Sequence, residues 1–453
     1  MLRTLLLISL LAITASLLRA DSAPDLPDPR PMPGDPEKGR AYLLHGGYIG
    51  AGIPMPLWRL LHAGQTFEAP ILREGVDPTV PMDMNQFVTH EGVEVASGIN
   101  CLGCHASMFM GEFVVGMGNS RRDFTGEADL TALKALAGVM VPSGSPARTN
   151  MERFFRGADA LAGRSSAPFR GVNPAFRFEE LAAAQRNPHD LTWSEEPVFD
   201  VLPYTVASDV PAWWNVKKKS RLYYNGMGVG DFAKLLQQIG IVMIEDAEHA
   251  ASITPHMRDL LAYIDTLEPP KYPGTIDTRL ASIGERVFND NCMSCHGTYG
   301  DDWTYPNKVV PVEKVGTDPL YARALKESGL VDWYTSSWFA KDGPKSYSEP
   351  MLGYIAPPLD GVWATSPYFH NGSVPTIEAV LDSSKRPERW RRSFRHDDYD
   401  LHAMGWNYEV VKEADHPHVY DTTLPGYGNQ GHTFGDDLTP DERRALMEYL
   451  KTL

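Results

Sequence analysis

Cys101-Leu102-Gly103-Cys104-His105 and Cys292-Met293-Ser294-Cys295-His296 are two complete C-x-x-C-H motifs, and together they use all four cysteines of the chain. The spacing has a chemical reason. Two thiols three positions apart can each add to one vinyl group of the same haem, and the adjacent histidine then reaches the iron. This is the attachment signature of c-type haem, with histidine as a standard axial ligand. A bare C-x-x-C also suits a redox dithiol or half of a zinc site. Here a histidine follows each pair, and no cysteine is left for a second zinc half-site. The reading is two covalently bound haems, their iron held by His105 and His296, and a chain that must fold around both.

The amino terminus agrees with that chemistry. Met1 to Ala20 has a positive Arg3, an apolar run from Leu5 to Leu18 broken by Ser9, Thr14 and Ser16, and a small residue at Ala20. This reads as a secretory signal peptide, 1–20, cleaved before Asp21. The run is shorter than the roughly 20 apolar residues of a spanning helix, so no membrane span is expected in the mature form. Bacterial thioether attachment of haem takes place outside the cytoplasm, so a periplasmic or secreted protein is expected. With every cysteine committed to haem, no disulfide is expected in that oxidising compartment. A formal charge of -16 argues against nucleic acid and anionic membrane surfaces as partners.

The rest of the 453 residues reads as two bodies. Residues 21–36 are a Pro-rich lead-in without packed structure of its own. An N-terminal cytochrome c-like domain spans 37–267. It holds the first motif, glycine-rich loops over 111–126 and 142–148, and helix-like stretches at 230–244 and 254–267. Glu268-Pro269-Pro270-Lys271-Tyr272-Pro273-Gly274 is a breaker cluster and serves as the linker. A second cytochrome c-like domain, 275–453, opens with an amphipathic segment from Arg279 to Asn291 that runs into the second motif. It closes with a helix announced by Thr439, Pro440 and Glu442, the elements of a capping box. Strand-like alternation is scarce. The expected fold class is mainly α, with long irregular loops filled by haem contacts.

The two motifs, the Pro-rich boundary and Ser366-Pro367-Tyr368-Phe369-His370-Asn371-Gly372 together resemble the bacterial di-haem cytochrome c peroxidase superfamily, which also contains rubber oxygenases. Tyr305-Pro306-Asn307, Gly316-Thr317-Asp318-Pro319 and Gly431-His432-Thr433-Phe434-Gly435 are similar to the rubber-oxygenase-like branch. The resemblance implies one haem where oxidant reacts and a second that stores or relays electrons. It also implies a methionine ligand to the second iron in the peroxidases, at a position that falls near Ser384 here, but 382–392 contains no methionine. In the rubber-oxygenase-like branch a late histidine fills that role, and His432 fits it, with Met404 and Met351 in reserve. His402, His416 and His418 read as surface residues, and His370 as a hydrogen-bonding residue near the second haem. Calcium between the domains occurs in relatives, and no ligand set here is specific enough to claim it.

In resting peroxidases of the family this chain resembles, a histidine shortly after the motif caps the first iron. Here no histidine occurs between His105 and His189. The resemblance therefore implies a face that is open, or closed only by water, O2 or an apolar side chain, as oxidant chemistry requires. Trp213 and Trp214 lie between the motifs and are the candidate relay residues, against the plainer possibility of core packing. Of the carboxylates after the first motif (Glu112, Asp123, Glu127, Asp129, Glu152, Asp159), none matches the acid–base glutamate of the peroxidases. The favoured activity is therefore oxygenase-like, with O2 or peroxide as oxidant and an apolar organic substrate or small redox protein as partner. Peroxide reduction, or electron transfer alone, is the alternative. Mass spectrometry of the holoprotein should find two haems, and acid–acetone should release neither. Extraction of haem into the organic phase would contradict thioether attachment.

Overall fold

The computed structural model describes residues 33–453 apart from Ile99, Glu127 and Ala207. The expected signal peptide, and the lead-in up to residue 32, lie outside the described residues. Helix takes about 38% and strand 13%, so the fold is mainly α, and its strands are short. Met84–Val88 and Glu94–Gly98 pair antiparallel, with Ile53–Pro54 on the other side of Glu94–Gly98. Among the described residues no helix is long and apolar enough to cross a membrane.

Two helix pairs frame the motifs. Pro36–His45, capped by the Asp35 carboxylate, packs against Ala247–Asp265, capped by Asp246. Thr278–Asn291, capped by Asp277, packs against Pro440–Leu450. The expected capping box is present: Thr439 accepts from the Glu442 N–H at 3.3 Å, and Glu442 accepts from the Thr439 N–H at 2.8 Å. Each crossing has a glycine at its contact point. A Cβ on Gly39 would run into the Asp259 carbonyl, and one on Gly284 into the Ala445 carbonyl. A glycine inside a helix costs about 1 kcal/mol relative to alanine; here it allows backbone-to-backbone approach. Val287, Phe288, Leu446, Tyr449 and Leu450 then close the second crossing.

The helix-like stretch at 230–244 is broken rather than continuous. Gly228–Gly230 is a strand paired with Ser346–Ser348, Phe232–Leu236 is a short helix, and Gln237–Val242 is a 3-10 turn. The buried Gln237 side chain donates to the Ala250 carbonyl and accepts from Thr254 Oγ1 at 2.9 Å. Its polar atoms are satisfied by the next helix, and that fixes a bend which periodicity does not reveal.

Packing crosses the 268–274 segment in both directions. Leu43, Leu102, Trp213 and Leu261 share a core with Tyr321, Trp333 and Phe339. Phe109, Met117 and Trp214 share a second with Phe288, Trp363 and Leu446. A third, smaller cluster sets Phe124, Phe169, Trp390, Tyr420 and Tyr427 beside Cys104.

The glycine crossing predicts that Gly284→Ala destabilises the chain by about 1–3 kcal/mol through overpacking, read as a lower urea midpoint. Gly138→Ala, on an exposed helix with open space around it, is the matched control and should be neutral or stabilising. Equal midpoints for the two variants would remove the close crossing from the argument.

Candidate haem centres

Thr278–Asn291 delivers Cys292 to a short helix, Met293–His296, which stops at Gly297 with φ 78°. A side chain there would meet the Thr304 carbonyl. His296 is oriented from behind: its Nδ1 lies 2.8 Å from the Pro357 carbonyl, the partner that a metal-ligating imidazole ordinarily has. The Tyr299 hydroxyl donates to the His296 carbonyl at 3.1 Å and accepts from the Leu359 N–H at 2.6 Å, tying the motif to the same loop. In front of His296 opens a cavity of about 980 Å³, lined by Cys292, Cys295, His296 and His432 among apolar walls such as Val309, Ile355 and Val380. That is the upper end of the range for ligand and cofactor sites.

His432 faces His296 across this space, with ring centroids 6.3 Å apart and planes at 68°. Two imidazoles on opposite faces of one metal should stand about 6 Å apart, from about 2 Å per metal–nitrogen bond and about 1 Å from each nitrogen to its ring centre. His432 holds φ 45° after Gly431 at 77°, a left-handed stretch that histidine tolerates better than most residues. Its Nδ1 is buried without a hydrogen-bond partner. Burial, reinforced by His296 and Arg386, pushes its pKa down to about 4, so the ring is neutral and free to ligate. The residues of this second centre fit a haem.

Arg386 pins the His432 loop. Its guanidinium donates to the carbonyls of Ala379 (2.9 Å), Val380 (3.1 Å), Asn429 (2.9 Å), Gly431 (2.6 Å) and His432 (3.1 Å). The segment in which a peroxidase methionine would fall thus supplies this arginine, while Ser384 is exposed. Met404 is fully buried in the second core, its carbonyl taken by the Tyr368 hydroxyl at 2.9 Å. Neither Met404 nor Met351 lines the cavity. His402 and His416 are exposed and His418 half-buried. His370 lines the cavity, stacked on Tyr354 at 4.1 Å.

The first motif is a one-turn helix, Cys101–His105, capped by the Asn100 side chain through the Gly103 N–H at 3.2 Å. Asn119 receives it, donating from its N–H to the Cys104 carbonyl at 2.8 Å and from its amide to the Gly103 carbonyl at 3.0 Å. Burial pushes the thiols of Cys101 and Cys104 up to about 12 and about 11, and Cys292 to about 11. Thiols held neutral in this way are poor redox dithiols. Burial also lowers His105 to about 4. No group of three His, Cys, Asp or Glu side chains is placed to hold a bare metal ion among the described residues.

The tryptophan pair is split between the two centres. Trp213 stacks on the His105 ring, with centroids 4.6 Å apart and planes at 19°, and belongs to the first core. Trp214 turns into the second core and donates from Nε1 to the Asp360 carbonyl at 2.8 Å. The 3-10 turn Trp213–Lys218 that carries both is docked on the loop behind His296. Asn215 donates to the Pro358 carbonyl at 3.2 Å, and Lys218 Nζ pairs with the Asp360 carboxylate at 2.7 Å.

Of the carboxylates after the first motif, none of which matches the peroxidase glutamate, none of the described ones lines the cavity. Glu112, Asp123, Asp129, Glu152 and Asp159 are exposed, and Glu127 lies outside the described residues. Two later acids take the interior instead. Asp209, bonded by the Tyr224 hydroxyl at 3.4 Å, is pushed well above the usual carboxylate range by burial. Glu179 is pushed up to about 8 by the same cause. No local pattern marks either residue, because burial is decided by the tertiary fold.

Residues 353–391 match the RoxA-like, cytochrome c-like family. This stretch includes Pro357, Phe369, His370 and Arg386, the wall of the second centre. Two relatives from Sinorhizobium fredii are described as uncharacterized proteins. The chain is 32% identical to y4iJ over 41% of each chain. It is 25% identical to y4iM over 56% of this chain and 66% of that protein. The chain thus spans less than two thirds of the length of either relative. Hydrazine synthase from Kuenenia stuttgartiensis, solved under xenon pressure, aligns over 66% of this chain and 92% of its own at 14% identity. Its TM-score of 0.27 is too low to bear on fold or chemistry. The matched segment implies a covalently bound haem, in keeping with the attachment motifs.

Proposed function

We propose that the chain is an exported di-haem oxidoreductase of the rubber-oxygenase-like branch, built as two cytochrome c-like bodies, that oxidises an apolar organic substrate. The carrying observation is an asymmetry. His296 has an imidazole facing it at 6.3 Å, a pair able to saturate one iron, whereas among the described residues no second imidazole is in ring contact with His105, whose ring partner is Trp213, stacked on its face. When bound, haem would supply an open iron position for O2 or peroxide at His105 and an electron store at His296. The protein's own part is to fix these positions and connect them. Pro357 sets the His296 ring, Arg386 holds the His432 loop, and burial keeps the imidazoles neutral. Trp213 and Trp214 join the centres: one indole lies on His105, and the next is bonded to the loop whose Pro357 carbonyl holds His296.

Peroxide reduction has support of its own. Asp209 and Glu179 are half-buried acids of the first body, both shifted toward the neutral form by desolvation, and a protonated carboxyl is the group that O–O cleavage uses. A plain carrier is the third reading. Carbon monoxide should shift the spectrum of one reduced haem, and failure to shift either would leave only the carrier.

Four single variants and one double variant provide the tests. Trp213→Phe and Trp214→Phe conserve ring shape within the tolerance for core swaps, so both haem spectra should persist while at least one variant loses most turnover with O2 or peroxide. Full activity in both, and in the double variant, would reduce the pair to packing. His432→Ala should convert one low-spin haem to high spin, and an unchanged spectrum would move the ligand elsewhere. Glu179 titrates near 8 folded against an ordinary 4.5. The unfolded chain therefore releases this proton first, and the native state loses stability as pH climbs from 4.5 to 8. Glu179→Gln should flatten that slope and stabilise the protein at pH 8 by up to about 4 kcal/mol. A slope identical to wild type would refute the buried acid.

A further inference from the structure

Several interior tyrosines end on the main chain. The hydroxyls of Tyr272, Tyr299, Tyr305, Tyr354 and Tyr368 each donate to a backbone carbonyl. A carbonyl accepts a hydrogen bond but cannot carry a proton away. Tyr224 differs from them, because its hydroxyl donates to the Asp209 carboxyl at 3.4 Å. A carboxylate is a base, and one beside a phenol can take its proton. Burial raises the Asp209 pKa well above the usual carboxylate range, so its ionised form is a stronger base than that of an exposed aspartate. The Asp209 N–H donates to the His370 carbonyl at 2.8 Å, which fixes the acid beside the next element of the wall.

Tyr224 is one of four rings in mutual contact. Tyr354 stacks on His370, with centroids 4.1 Å apart. Tyr321 lies 5.9 Å from His370 and 6.3 Å from Tyr354. Tyr224 lies 6.2 Å from Tyr321 and 6.3 Å from His370. Tyr224, Tyr354 and His370 line the cavity that His296 and His432 also line. A ring contact ties the cluster to the second centre: Phe369, which precedes His370, has its ring 5.8 Å from that of His432. Rings this close exchange an electron readily, so oxidation of one can pass to the others. It comes to rest where a proton can leave. A phenol that keeps its proton on oxidation becomes a strongly acidic cation, whereas one that loses it becomes a neutral radical. Among these rings that place is Tyr224, whose hydroxyl bonds a carboxyl.

We propose that Tyr224 is a redox-active tyrosine, the residue that stores an oxidising equivalent reaching the cavity, with Asp209 as its proton acceptor. The site deepens the oxidation proposed above and rests on the haem reading. Its chemistry balances. Tyr224 gives up one electron, its O–H bond breaks, and the proton passes to the Asp209 carboxylate, leaving a neutral tyrosyl radical beside a carboxylic acid. The oxidant is hydrogen peroxide, which takes up two electrons, and two protons from solvent, and leaves as two waters. One electron comes from Tyr224, and the other from a haem iron reduced beforehand by an external donor.

The test uses holoprotein with one haem reduced, mixed with hydrogen peroxide at about pH 9, which favours the ionised form of Asp209. Samples are freeze-quenched for electron paramagnetic resonance, and the haem absorption spectrum is followed alongside. Wild type should give a radical signal that narrows when the protein carries ring-deuterated tyrosine. Tyr224→Phe should lose that signal, and Asp209→Asn, which keeps an acceptor but no base, should lose most of it. Tyr354→Phe and Tyr321→Phe should keep it. A full signal in Tyr224→Phe overturns the site, and an undiminished one in Asp209→Asn overturns the proton acceptor. If Tyr224→Phe fails to fold, a nitroso spin trap on wild type takes its place: peptide mass spectrometry should find the adduct on Tyr224, and an adduct elsewhere overturns the site. A haem spectrum that responds to peroxide without a tyrosyl signal sinks the site alone. A Cys292–Cys295 peptide without haem, or a haem spectrum indifferent to peroxide, sinks the oxidant chemistry and the site with it.

Discussion

Pro357 to Asp360 is the short stretch on which both centres depend. The Pro357 carbonyl orients His296, the Leu359 N–H is tied through Tyr299 to the His296 carbonyl, and Asp360 receives Trp214 and Lys218. Most of these bonds join a side chain to a main-chain group, and losing one leaves a polar atom without its partner. A shift of this loop would therefore move the His296 ring and the tryptophan turn together. The stacking of Trp213 on His105 extends that rigidity to the first motif.

The parts of this design that were legible in the sequence are those whose chemistry is local. The C-x-x-C-H spacing, the capped helices at 278–291 and 440–450 and the glycine-flanked His432 each announce themselves within a few residues. The tryptophan pair was legible as a pair. Its division between two cores was not, because adjacent side chains on a 3-10 turn diverge by an amount set by the docked loop.

What stayed hidden depends on distant partners. Arg386 reads as one more surface arginine until five carbonyls converge on it. Asp209, Glu179 and Lys219 look like ordinary charged residues of a strongly acidic chain, and burial alone gives them altered protonation. The break at 230–244 has the same origin, since Gln237 answers to Ala250 and Thr254 rather than to its own helix.

The clamp on His432 has a consequence for how the second centre comes together in time. Arg386 holds main-chain carbonyl oxygens, and the loop it latches is confined a second time at Gly431, where any Cβ would meet the Gly316–Thr317 backbone. The wall it secures, together with Leu446 and Leu450, comes from later in the sequence than Cys292 and Cys295. On the haem reading, porphyrin would be joined to Cys292 and Cys295 while the pocket is still open on one side, and the later segment would then close over it. Assembly in that order needs no opening of a finished protein.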